Sequence, residues 1–96
     1  MSTNTQKQSS DHGHLWLAID KVAALNNISV SALAKKCGLD ATAFNKSKRF
    51  DSYGKPRWLS TMSLCKVLRA NGMTWTQFVQ ILDDVKVEDQ GDGEAI

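Results

Sequence analysis

Thr42, Asn45, Lys46 and Arg49 recur at i, i+3, i+4 and i+7, the spacing that lines side chains along one face of a helix. Their chemistry is that of base-edge recognition. An Asn amide bonds adenine in two places, Arg or Lys reaches guanine O6 and N7, and Thr offers a hydroxyl and a methyl. A second set, Lys48, Lys55 and Arg57, offers cationic donors of the kind that hold phosphate oxygens.

The charges are segregated along the chain. The 96 residues carry a net charge of only +2. Between positions 35 and 69, however, nine Lys/Arg face Asp40 and Asp51, a net +7, and from 83 onward six acidic residues face Lys86 alone, a net −5. A concentrated positive field attracts polyanions, because each phosphate it neutralises releases condensed counterions. A solvated helical surface is the plainer account of the same charges.

Short helices must position these residues. Leu15, Ala18, Ile19, Val22 and Leu25 give one apolar face to a first helix over 14–27. Ser29 is placed to cap a second helix reaching about Cys37, and Gly38 stops it by entering the left-handed conformation. Asp40 is placed to cap a third helix over 41–49, the rod that carries the polar stripe. Gly54 and Pro56 mark an exposed loop over 50–59, for which anchoring to the core by Trp58 is the plainer alternative to a contact with a partner. Ser60 then caps a fourth helix with Met62, Cys65 and Leu68 inward, closed by Asn71 and Gly72. Thr74 and Gln77 form a capping box, with Met73 stapled to Phe78, at the head of a fifth helix. Phe78, Ile81, Leu82 and Val85 are its apolar face.

With these residues in place, the stretch LAKKCGLDATAFNKSKR at 33–49 resembles the Cro/CI-type helix-turn-helix of phage repressors. The likeness lies in the small Ala34, the turn at Gly38 and the apolar anchors Leu33, Leu39 and Phe44. FNKSKR at 44–49 and KPRW at 55–58 look like the DNA-binding part of LexA-like phage repressors that carry a C-terminal self-cleaving peptidase domain. The resemblance spans about 15–82. It implies an all-α fold, a compact five-helix lambda-repressor-like domain that binds an operator in double-stranded DNA as a homodimer. The 41–49 helix would enter the major groove and the start of the second helix would lie near phosphates. Thr42, Asn45, Lys46 and Arg49 would then contact bases, and Ser31, Lys48, Lys55 and Arg57 phosphates. Three features depart from the family pattern. Ser47 stands where an apolar residue is common, Val30 where a phosphate-contacting polar residue is frequent, and the loop after 49 is longer, with Tyr53, Lys55 and Arg57 available to grip the backbone.

The expected organisation is a flexible arm over 1–12, the DNA-binding domain over 13–86 and an acidic, disordered tail or linker over 87–96. No Ser/Lys catalytic pair follows Val85, so the resemblance is expected to carry over DNA binding alone. The acidic end is expected to be a disordered, solvated tail, with a linker toward a missing C-terminal domain as the alternative. No apolar run approaches the roughly 18 residues of a membrane span. Nothing resembles an export leader, so a cytoplasmic, nucleoid-associated protein of bacterial or phage origin with free thiols at Cys37 and Cys65 is expected. His12, His14, Cys37 and Cys65 lack zinc-site spacing, so no metal and no cofactor are expected. Nucleophile-base pairs and phosphate-cradling glycine loops are also lacking, which argues against an enzyme. The competing reading is a protein-interaction module, an antitoxin or adaptor with the same helical fold, docking through Trp75, Ile81 and Val85.

Overall fold

The first helix begins earlier than its apolar spacing predicts, because Ser10 supplies a cap: its hydroxyl accepts from Gly13 N at 3.1 Å. In the computed structural model, which describes residues 10–94, helix α1 runs Asp11–Leu25. Positions 11 and 12 are therefore helical rather than part of an arm, and 1–9 lie outside the described residues. Ser29 caps α2, Val30–Lys36, by accepting from Ala32 N at 3.1 Å, and α2 turns 84° away from α1. Ser60 caps α3, Thr61–Ala70, by accepting from Ser63 N at 3.0 Å. The reciprocal capping box forms at the next helix, with Thr74 N donating to Gln77 Oε1 at 2.8 Å and Gln77 N to Thr74 Oγ1 at 3.1 Å. That helix, α4, runs Trp75–Glu94.

The described residues thus hold four α-helices and no strand, an all-α fold with one helix fewer than the spacing predicts. The missing one is the rod over 41–49. Positions 41–44 form turns closed by Ala43 N to Asp40 O and Asn45 N to Thr42 O. Asn45 is extended (φ −65°, ψ 151°), and a single 3-10 turn, Lys46–Lys48, follows. Two causes act together. Thr42, Phe44, Asn45 and Ser47 are all weak helix formers. In addition, the Phe44 carbonyl, which a continuous helix would pair with the amide of Lys48, accepts from Arg49 Nη2 at 2.8 Å.

α4 departs in the other direction. It continues through Glu94 where a disordered tail was expected from 87, and 95–96 lie outside the described residues. Val85 is buried, and the ion pairs Lys21–Glu88 (3.4 Å) and Lys86–Asp11 (4.0 Å) join α4 to α1 beyond it. Exposed pairs of this kind contribute at most about 1 kcal/mol each.

The core is built on α1, whose Ala18, Ile19, Val22 and Ala23 are buried against Leu33 and Ala34 of α2, Val67 and Leu68 of α3 and Phe78 of α4. Leu25 and Met62, both expected inward, are 61% and 64% exposed. They sit in the last turn of α1 and the first turn of α3. No single helix among the described residues is long and apolar enough to cross a membrane.

Gly38 performs the turn expected of it, with φ at 78°. A Cβ there would meet nothing within 4 Å, so the penalty of Gly38→Ala is confined to the backbone. Urea unfolding should report a loss of about 1 to 2 kcal/mol, and no loss would mean that the left-handed turn is not required.

Candidate nucleic-acid interface

Residues 40–58, between α2 and α3, are held by contacts that reach into the body of the protein. At its start the Asp40 carboxylate accepts from Thr42 N (2.9 Å) and Thr42 Oγ1 (2.8 Å), and these bonds hold its pKa below the ordinary carboxylate value. Ser31 Oγ donates to Ala41 O at 3.2 Å, tying α2 to the same turn. Phe44 is fully buried and meets the edge of Trp16, ring centres 6.2 Å apart.

The strongest tie is Arg49. Its guanidinium forms a two-pronged pair with Asp20 on α1, Nη1 to Oδ2 at 3.1 Å and Nη2 to Oδ1 at 2.7 Å. It also lies over the Trp16 ring, 4.8 Å from its centre, and Arg49 as a whole is 7% exposed. His12 completes the attachment. Its Nε2 lies 2.9 Å from the Arg49 carbonyl and 3.1 Å from that of Arg57, and two carbonyl acceptors at one ring nitrogen assign the proton to Nε2. Trp16 Nε1 donates to the Arg57 carbonyl as well, at 3.0 Å.

Arg49 and Arg57 flank a tight hairpin. Arg57 N donates to Arg49 O and Asp51 N to Lys55 O, both at 2.8 Å, and Gly54 turns the tip at φ 84°. The Asp51 carboxylate accepts from Tyr53 N (2.8 Å) and Lys55 N (2.9 Å), so one side chain braces the whole tip.

The two expected residue sets are redistributed by this arrangement. Thr42 is exposed, but its hydroxyl is engaged by Asp40. Asn45 is half-buried and Lys46 exposed. Arg49 does not share a surface with them: it points beneath the segment into α1, and its guanidinium cannot reach a base edge without abandoning Asp20. Ser31 is half-buried and engaged with Ala41 O, whereas Lys48, Lys55 and Arg57 are exposed. The 3-10 turn forms a ridge between two clefts. Lys46 borders one of about 310 Å³ beside His12, Leu17 and Phe50. Thr42 and Lys48 border the other, of about 390 Å³, together with Arg57, Trp58 and Ser60. Trp58, which the alternative reading of the loop made a core anchor, is 58% exposed and meets His12 edge to face.

His12, Trp16 and Asp20 carry this frame and were not among the expected site residues. The signal was present, since they are spaced four apart and therefore share one face of α1. The offer of chemistry is plain. Lys46, Lys48, Lys55 and Arg57 are exposed cations whose side chains make no hydrogen bond or ion pair among the described residues, and they stand on a frame fixed by buried contacts. No group of three or more His, Cys, Asp or Glu among the described residues is placed to hold a metal ion. Comparison with protein-family models, curated proteins and solved structures finds no match to this chain.

Proposed function

We propose that the chain binds double-stranded DNA and acts as a transcriptional repressor of the Cro/CI, lambda-repressor-like kind that its sequence resembles, in a bacterial or phage cytoplasm. The observation that carries this reading is the set of four unpaired, exposed cations, Lys46, Lys48, Lys55 and Arg57, held on a rigid frame between α2 and α3. Exposed cations on a folded segment suit the regular phosphates of a duplex, because the backbone that presents them is already ordered and only their side chains lose freedom on binding.

In this proposal Lys48, Lys55 and Arg57 hold phosphates, Lys46 and Asn45 face base edges, and Thr42 contributes its methyl. Ser31 and Arg49 act as positioning residues, since their polar groups are engaged within the protein. The reading element is a ridge rather than a helical rod. Two copies on a palindromic site would place two ridges on one side of the duplex.

Selection of bound duplexes from a random pool tests the reading. A palindromic consensus with half-sites about 10 base pairs apart is expected, and failure to enrich any sequence would overturn sequence-specific binding. A second reading, docking to a protein partner, keeps Trp75, 50% exposed, of the three residues expected for it, since Val85 is buried and Ile81 half-buried in the core, and adds Val79, 47% exposed. It predicts partner binding that is indifferent to salt and no enrichment of DNA.

A further inference from the structure

The hairpin over 49–57 is held by more hydrogen bonds than its burial requires. Beyond Arg49, its side chains add little to the core: Phe50 is 51% exposed and Tyr53, at the tip, is 88% exposed. Yet both ends are bonded to His12, the far end also to Trp16, and the tip is braced by Asp51. The bonds at its base serve the fold, since the Arg49 and Arg57 carbonyls satisfy the buried ring N–H groups of His12 and Trp16. The Asp51 brace, however, orders an exposed tip and satisfies no buried group, while ordering each residue opposes folding by about 1 to 2 kcal/mol. Rigidity in an exposed aromatic and cationic tip is useful for presenting side chains to a partner whose spacing is itself fixed.

We infer that this hairpin is a wing, a second and preformed contact with the duplex. In it the Tyr53 ring packs on a deoxyribose beside the tract held by Lys46 and Lys48, and Lys55 binds the neighbouring phosphate. The inference rests on the DNA-binding reading and adds to it a flanking contact and its preorganisation. The chemistry favours DNA over an acidic protein surface. An aromatic face beside an ammonium matches the alternation of apolar sugar and anionic phosphate, and the nearest carboxylate, Asp51, is turned back into the tip by its two amide bonds.

Hydroxyl-radical footprinting, which reads sugar protection directly, separates the outcomes on a duplex recovered by the selection above. The native protein is expected to protect a central tract and a flanking one. Tyr53→Ala should lose the flanking protection, keep the central one and weaken affinity about tenfold, the order expected for one lost aromatic contact. Asp51→Ala keeps every contacting side chain and removes an anion near DNA. Simple electrostatics therefore predicts tighter binding, whereas a loosened wing predicts affinity several-fold weaker, with thermal denaturation confirming that the variant is folded. A native footprint with Tyr53→Ala, or tighter binding with Asp51→Ala, overturns the wing alone. Absence of protection anywhere on the duplex overturns the DNA-binding reading together with it.

Discussion

Arg49→Ala is expected to destabilise the protein by about 3 kcal/mol, the lower end of the range for removing one partner of a buried pair. The lower end applies because the Asp20 side chain keeps 31% of its exposure, so the carboxylate left behind retains some water. The guanidinium also leaves the Phe44 carbonyl and the Trp16 ring without their contacts. In a chain of this size the midpoint of thermal unfolding should fall by roughly 15 °C. Arg49→Lys should recover little, since a single ammonium cannot span both oxygens of Asp20 and also reach Phe44 O. The double change Asp20→Leu with Arg49→Met should be more stable than either single change. It removes both charges, and it also removes Arg49 Nε, which is buried without a hydrogen-bond partner among the described residues. An Arg49→Ala protein that melts with the native one would show that the pair does not hold the segment. The same variant tests the role of Arg49 in recognition. If it acts by positioning, the folded fraction should also bind more weakly, because the segment is no longer tied to Asp20, while its base preference stays unchanged.

The sequence disclosed the punctuation of the fold better than its middle. Ser29, Ser60, Gly38 and the Thr74–Gln77 box act locally, through bonds two or three residues away, and each is found where local chemistry put it. The segment over 41–49 depended on a long-range competitor. Its polar spacing matched a helix, but whether the Phe44 carbonyl pairs within a helix or with Arg49 is decided by Asp20, twenty-nine positions from Arg49. A periodicity search scores Arg49 as surface because arginine is usually outside, and it has no means of seeing that Trp16 and Asp20 form a seat for it. The weak helix propensities of Thr42, Phe44, Asn45 and Ser47 were readable and pointed the right way. His12 was misread for a related reason. It lies at the edge of a polar terminus, and only the hairpin carbonyls that it meets make it a buried clamp.

Lys46 and Lys48 separate recognition from folding, because both are exposed and make no side-chain bond within the described residues. Their joint replacement by alanine should change stability by less than about 0.5 kcal/mol. If Lys46, Lys48, Lys55 and Arg57 each neutralise one phosphate, the logarithm of affinity should fall against the logarithm of salt with a slope of about −3 to −4. Removing Lys46 and Lys48 should reduce the steepness by about 2 and weaken binding near 0.1 M salt on the order of fiftyfold. The single variants should then diverge. Lys48→Ala is expected to weaken all duplexes alike, as loss of a phosphate contact must, while Lys46→Ala should also narrow the gap between selected and random duplexes. Their placement on opposite sides of the ridge is the physical reason to expect different behaviour from two lysines only two positions apart. A salt response that stays flat in the native protein would mean that these cations meet no phosphates, and the DNA reading would fall with them.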